Sequence, residues 1–418
     1  MSERLLVGLA LCVPIALNRL WRRPLFRPAG LMAAVWAALL LGQEIFVPDF
    51  VFSEEAAWTI LLVVSCFIAG DFWAAYMVRR YDLTAPSVRP TSEPTMKAAT
   101  LVCGALALAG AVWQFAAYAS HVGGIGELFT AGGAVRTLWA EREISIPIYG
   151  RVMATFGHAG VVLALTAWSK IGRRWWMALP LVAVIVFSVS IMGRIGILML
   201  AVDVFLITYY RDVAKDARTA DRRLFLRFLP ALFVVAAIFA GGEVLRASSD
   251  LEANVVSRTF ASYAFSGPSG LTEWLKSSRI GVEPAWGAQS FDSVAAMIGA
   301  KQQLVGVYDD FAQLSVRYDD MGNIYTAVRP LVEDFGLLGA CVFMAVFGVA
   351  AGFVFERTRA GSLPARALSC ALGLYIVFTV ITPMTVFSSW ILSATIPPLV
   401  LACPPALRGS KLRTHPPT

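Results

Sequence analysis

Residues 331–355 read LVEDFGLLGACVFMAVFGVAAGFVF, and from Gly336 onward this stretch contains no charged side chain. A helix of about 20 apolar residues is long enough to cross the hydrocarbon core of a bilayer. Similar runs recur along the chain, of which 58% is hydrophobic and only 15% charged, a composition unlike that of soluble domains. Because a helix satisfies its own backbone hydrogen bonds in lipid, the sequence predicts an all-α, polytopic integral membrane protein.

The apolar runs predict about eleven transmembrane helices, interrupted by one large polar segment. The candidate spans are residues 5–18, 29–48, 56–78, 96–118, 149–169, 174–191, 194–210, 228–245, 331–355, 366–382 and 385–403. The polar segment predicts a large, partly helical outer loop. It divides the chain into eight spans in residues 1–245, the loop itself in residues 246–330, and three spans with a tail in residues 331–418. A shorter loop, residues 119–148, is predicted on the same side.

Basic residues cluster in every second connection between the apolar runs, which is typical of the cytoplasmic side of a membrane protein. The clusters are Arg19–Arg27, Arg79–Lys97, Lys170–Arg174, Arg211–Arg227, Arg357–Arg366 and Arg408–Arg413. This alternation predicts a cytoplasmic C-terminus and places the large loop on the opposite, outer side. The net charge of +7 is therefore interpreted as a consequence of the lipid bilayer, and nucleic acid is not a predicted partner.

No sequence motif indicates a source of cytoplasmic energy, because the chain contains no Walker A loop and no GxGxxG that opens a helix. An outer-face enzyme would then need a substrate that is already activated, such as a sugar linked to a polyprenyl diphosphate. Arginine binds phosphate bidentately and stays charged, so the outer-side arginines are candidate substrate ligands. An arginine that anchors a helix at the membrane interface is the alternative interpretation of each. They are Arg136, Arg142, Arg151, Arg194, Arg246, Arg258 and Arg329.

Glycosyl transfer also requires a base that accepts the proton of the acceptor hydroxyl. The candidates are Glu243, Glu333, Asp334 and His158. Structural alternatives exist, since acids in the first turn of a helix are favoured by its dipole and a lone helical histidine is commonly a core residue. The triplets Tyr308-Asp309-Asp310 and Tyr318-Asp319-Asp320 lack the Asp-x-Asp spacing of many sugar-nucleotide enzymes. No metal ion and no cofactor is predicted.

Several short motifs resemble one bacterial family. They are Gly193-Arg194 before an apolar helix, Tyr263-x-Phe265-Ser266-Gly267-Pro268, and Gly322-Asn323-x-Tyr325-Thr326 leading to Asp334-Phe335-Gly336-x-x-Gly339. The stretch from Gly123 to Arg142 is also similar. Over about residues 110–355 the chain resembles the O-antigen polymerases, the oligosaccharide repeat unit polymerases of bacterial envelopes. The resemblance implies an inner-membrane glycosyltransferase of the inverting class that acts on the periplasmic face.

The resemblance also implies a substrate and partners. The substrate would be an undecaprenyl-diphosphate-linked oligosaccharide, and the partners a chain-length regulator and a flippase. The segment Gly322–Thr326, which includes Asn323 and Tyr325, would together with Arg329 position the sugars or the loop. The product would be O-antigen, capsule or exopolysaccharide. The alternatives are an O-antigen ligase-like transferase, a non-enzymatic transporter of lipid-linked glycan, and a scaffold subunit. Glu44, Asp71, Gln114 and Asp203 lie within apolar runs, and such groups would suit a proton-coupled transporter.

Overall fold

A computed structural model describes most of the chain, and its described part is mostly helical with almost no sheet. It describes residues 2–21, 23–83, 91–130, 148–190, 193, 195–224, 226, 261–277, 285–299, 308, 310–318 and 320–403. The helices are α1 Glu3–Leu20, α2 Pro28–Phe46, α3 Glu54–Tyr81, α4 Glu93–Val122, α5 Ile125–Thr130, α6 Ile148–Ala154, α7 Phe156–Ile171, α8 Ala178–Ser190, α9 Ile195–Val213, α10 Gly267–Lys276, α11 Asp292–Met297, α12 Val328–Arg359, α13 Leu363–Phe378 and α14 Ser388–Ala402. Strands β1 Ala312–Gln313 and β2 Met321–Gly322 form a small antiparallel hairpin.

The described part of the chain contains five helical segments that are long and apolar enough to cross a membrane. These are Pro28–Phe46, Glu54–Tyr81, Glu93–Val122, Tyr149–Ile171 and Val328–Arg359. Three shorter apolar helices, Trp175–Ser190, Leu363–Phe378 and Ser388–Ala402, accompany them. The prediction of an all-helical membrane protein agrees with this architecture. The prediction of about eleven spans is not confirmed, and the candidate at residues 228–245 lies outside the described residues.

Serine caps fix the beginnings of several helices. Ser2, Ser53, Ser92 and Ser362 each accept a hydrogen bond from the backbone amide three residues later, at the start of α1, α3, α4 and α13. Each cap satisfies one amide that has no partner within its helix. The candidate span 149–169 is divided into α6 and α7 at Thr155, a break that its hydropathy does not indicate.

Glycines allow α3 and α12 to pack with their backbones in close contact. A Cβ atom on Gly70 would lie 2.2 Å from the carbonyl oxygen of Ala345, and one on Gly348 would lie 2.1 Å from that of Phe67. Neither position therefore accepts a side chain without separating the helices. Gly336 has φ 67° and ψ 172°, and this left-handed residue breaks α12 between a polar first segment and a long apolar one.

A buried ion pair joins the connection before α2 to α3 and to the last turns of α12. The Arg27 guanidinium donates to both oxygens of Asp71, with Nε–Oδ2 2.6 Å and Nη2–Oδ1 2.8 Å, and both side chains are fully buried. Its Nη1 lies 3.5 Å from Oε1 of Glu356, whose other oxygen accepts from Arg359 at 2.8 Å. A buried guanidinium requires such carboxylates, because its charge has lost its water.

Contacts among the segments that connect the helices, and among the helix ends, define two opposite ends of the bundle. At the basic end, Arg27 meets Asp71 and Glu356, Lys170 donates to the carbonyl of Thr91, and Arg366 donates to Ser169. At the opposite end, called here the aromatic end, residues 50 and 315 form a β-bridge, Gln43 donates to Ser269, and the amide of Ser53 donates to Thr272. The described basic connections thus lie together, as their alternation predicted. Which face of which membrane they occupy stays a prediction.

Candidate functional site

Arg329 lies in the first turn of α12 at the aromatic end, and its side chain is only 2% exposed. Glu333 is four residues further on and therefore occupies the same face of the helix. The Nε atom of Arg329 donates to Oε1 of Glu333 at 2.9 Å. Local sequence alone places these two side chains together.

The two Nη nitrogens of Arg329 donate to Asp310, which precedes β1. Nη1 lies 3.3 Å from Oδ1 of Asp310, and Nη2 lies 3.1 Å from Oδ2, a bidentate pair. The guanidinium carbon lies 3.5 Å from the ring centroid of Tyr308, 4.0 Å from that of Tyr325 and 5.7 Å from that of Trp274. Aromatic faces attract cations most strongly where water is excluded. The guanidinium is thus held between two carboxylates and among three rings.

Hydrogen bonds from the two tyrosines complete the Arg329 cluster, defined here as Arg329, Asp310, Glu333, Tyr308 and Tyr325. The Tyr308 hydroxyl donates to Oε2 of Glu333, and the Tyr325 hydroxyl donates to the carbonyl of Asp310 at 3.2 Å. Burial and the neighbouring Glu333 charge raise the pKa of Tyr308 well above its ordinary value. Burial and Asp310 raise the pKa of Tyr325. Both hydroxyls therefore stay protonated at neutral pH and act as donors.

The charges of the cluster limit what it can bind as it stands. One guanidinium faces two carboxylates, and the donors of Arg329 are directed at Asp310 and Glu333. A phosphate could reach this guanidinium by displacing Asp310, whose side chain is 36% exposed, more readily than Glu333, at 19%. The guanidinium would then exchange the Asp310 carboxylate for a phosphate, which arginine also binds bidentately.

Asp334 has a different environment from its neighbour Glu333. Its carboxylate is fully buried and accepts from the backbone amides of Gln289 at 3.0 Å and Ser290 at 2.6 Å. Its carbonyl accepts from the amide of Trp286, a residue with φ 50° whose side chain is 83% exposed. These contacts favour a role for Asp334 in holding this loop, whereas its assignment as a base stays a prediction.

His158 lies in the apolar bundle and not in the Arg329 cluster. Its Nδ1 atom is 3.1 Å from Oδ2 of Asp203, and both side chains are buried. The Cys370 thiol lies 3.4 Å from the other oxygen of Asp203. Among the described residues, no direct hydrogen bond or ion pair joins this trio to the Arg329 cluster. These contacts join three helices, α7, α9 and α13, inside the apolar bundle.

Of the other predicted site residues, only some lie in the part of the chain that the structure describes. Arg151 lies exposed in α6, and Asn323 follows β2, where its amide nitrogen is 3.5 Å from the carbonyl of Tyr308. Tyr325 belongs to the Arg329 cluster. Five predicted residues lie outside the described residues: Arg136, Arg142, Arg194, Glu243 and Arg246. Arg258 lies outside them as well.

Sequence reasoning missed Asp310 and Trp274 as neighbours of Arg329. Asp310 belongs to the Tyr308-Asp309-Asp310 triplet, where the sequence indicated loop acids but no arginine partner. The sequence signal that could have indicated the cluster is a Tyr-Asp-Asp triplet followed by a helix that begins with the Arg-x-x-x-Glu pattern. Asp310 and Arg329 are separated by 19 positions in the sequence, so no local periodicity indicates their contact.

Comparisons with known proteins leave the family open. No protein-family model, no curated protein and no solved structure matches this chain. The resemblance to O-antigen polymerases therefore stays a prediction, and function has to be inferred from the site itself.

Proposed function

We propose that this chain is a membrane glycosyltransferase that polymerises undecaprenyl-diphosphate-linked oligosaccharide repeat units at the aromatic end of its bundle. The observation that supports this proposal is the Arg329 cluster, in which an arginine and the carboxylate of Glu333 lie one helical turn apart. Diphosphate recognition favours the planar fork of arginine, and hydroxyl deprotonation favours a carboxylate within reach.

In this mechanism, the donor diphosphate takes the place of Asp310 on Arg329. The guanidinium then offsets the charge that develops on the leaving diphosphate. Glu333 accepts the proton of the acceptor hydroxyl as that oxygen attacks the anomeric carbon, and the bond to the diphosphate breaks. Tyr308 orients the Glu333 carboxylate by its hydrogen bond. The sugar faces stack on exposed aromatic rings of the outer segment, such as Phe311, which follows Asp310 and is 61% exposed.

Location and partners follow from the same proposal. The aromatic end would face the periplasm of a bacterial inner membrane, and the basic end the cytoplasm. A flippase would deliver the lipid-linked repeat units, and a chain-length regulator would limit the polymer. The product would be O-antigen, capsule or exopolysaccharide.

Glycan length in a deletion strain tests the proposal. Wild type should restore a ladder of polymer on gels, whereas Arg329→Lys should lower polymer formation roughly tenfold, because an ammonium cannot reproduce the bidentate fork. Glu333→Gln should abolish the ladder while the protein stays in the membrane. Arg317→Gln is the matched control, since Arg317 is an exposed arginine of the same outer segment that stacks on Tyr318. Normal ladders from Arg329→Lys and Glu333→Gln would refute the assigned roles.

Two other functions make different predictions for the same deletion. If the chain is an O-antigen ligase-like transferase, its deletion should cause lipid-linked polymer to accumulate while the outer glycan is lost. A transporter is favoured by one observation, the buried His158–Asp203 pair, because proton-coupled transporters need ionisable groups inside the bundle. In that case His158→Gln would stop delivery of lipid-linked glycan, whereas Glu333→Gln would not.

A further inference from the structure

Arg23 lies in the connection between α1 and α2, at the basic end of the bundle, and two of its three guanidinium nitrogens have no hydrogen-bond partner among the described residues. Its guanidinium carbon lies 5.0 Å from the ring centroid of Trp21 and 5.5 Å from that of Phe72. Its Nε and Nη1 atoms are buried and have no hydrogen-bond partner among the described residues. Buried donors of a charged group are costly to leave without an acceptor.

The carboxylates near Arg23 are already engaged by other arginines. Asp71 is held bidentately by Arg27, and Glu356 lies between Arg27 and Arg359. Burial, together with the positive charges of Arg27 and Arg79, lowers the pKa of Arg23 to about 10. The surroundings of Arg23 thus carry surplus positive charge. An anion bound there would supply the acceptors that Arg23 lacks and would relieve the repulsion.

Apolar side chains adjoin this positive charge on the outside of the bundle. Leu20 and Trp21, at the end of α1, are 74% and 53% exposed, and Trp21 packs edge-on against Phe72. Tryptophan and arginine together are typical of the level at which lipid headgroups meet the hydrocarbon core. Arg79, in the last turn of α3, is exposed, and its positive charge is close enough to Arg23 to lower the pKa of that guanidinium. A ligand that is anionic at one end and apolar at the other matches this arrangement.

We propose that Arg23 and Arg79 bind the phosphate of an anionic phospholipid in the leaflet at the basic end, with its acyl chains against Leu20 and Trp21. This lipid site is separate from the Arg329 cluster, which lies at the aromatic end. It is also independent of the proposed polymerase activity. A soluble phosphate shares the same headgroup chemistry, so the test must separate the two sources.

Thermal unfolding of the purified full-length chain in a neutral detergent tests the site. Phosphatidylglycerol should raise the unfolding temperature of wild type, whereas phosphatidylcholine at the same concentration should raise it less. Inorganic phosphate and glycerol phosphate, which lack acyl chains, should have little effect. Arg23→Gln and Arg79→Gln should each weaken phosphatidylglycerol binding about tenfold, since each loses a charge-assisted contact to phosphate.

Arg174→Gln is the matched control, because Arg174 is also an exposed arginine at the basic end but lies 3.6 Å from Glu93. It should respond to phosphatidylglycerol as wild type does. If both Arg23→Gln and Arg79→Gln retain the full response, the site is overturned. If glycerol phosphate stabilises wild type as strongly as the lipid, the ligand is a soluble anion and the lipid assignment is overturned. If Arg23→Gln does not fold, Arg79→Gln alone decides between these outcomes.

Discussion

Replacing Asp71 by asparagine should destabilise the protein strongly, because this change removes the charge that faces the buried Arg27 guanidinium. The two side chains are fully buried and are joined at 2.6 Å and 2.8 Å. In Asp71→Asn the one carboxylate left beside the guanidinium among the described residues would be Glu356, at 3.5 Å. The change therefore leaves most of a buried positive charge without compensation.

The expected loss can be estimated from two independent quantities. Hydrogen bonds to charged groups contribute about 1.5–3 kcal/mol each, and the Arg27–Asp71 pair has two of them. Removing one partner of a buried ion pair costs about 3–5 kcal/mol. The first route gives about 3–6 kcal/mol and the second about 3–5 kcal/mol, so Asp71→Asn should lower the free energy of unfolding by about 3–5 kcal/mol. The double variant Arg27→Met/Asp71→Val should recover much of this loss, because it removes both charges together.

The assay is equilibrium unfolding in mixed micelles, followed by loss of helical circular dichroism. Lys276→Gln is the control, since Lys276 pairs with Glu273 at 2.7 Å while 55% exposed. An exposed pair of this kind contributes less than about 1 kcal/mol. If Asp71→Asn costs no more than Lys276→Gln, the buried pair does not stabilise the bundle and this reasoning is wrong.

Two further changes test how the framework is held. Gly348→Ala should lower the unfolding free energy by about 1–3 kcal/mol, because its Cβ would lie 2.1 Å from the carbonyl of Phe67. Gly126→Ala, where no atom of the described residues lies within 4 Å of the added Cβ, should not lower the unfolding free energy, and equal losses in the two variants would contradict the close packing. Asp334→Ala should speed amide exchange at residues 289–290, whose amides donate to that carboxylate. Unchanged exchange would show that Asp334 does not hold this loop.

Several features of this protein follow from the sequence alone because they depend on neighbours along the chain. Hydropathy indicated α3, α4 and the apolar part of α12, since each must be apolar over a membrane's thickness. Within the site, Arg329 and Glu333 are four residues apart on one helix, so their contact could have been predicted from the helical repeat.

The tertiary structure decided which distant groups meet. Asp310 approaches Arg329 across 19 residues, and Asp71 approaches Arg27 across 44, so neither pair has a periodic signal in the sequence. The break at Gly336 likewise depends on a backbone conformation that hydropathy does not encode. The sequence determined where the long apolar helices lie, because hydropathy is a local and additive property. Only the packing of helices decided that Arg329 is held by two acids, and that two donors of Arg23 have no partner in the described part of the chain, since both depend on directions in space.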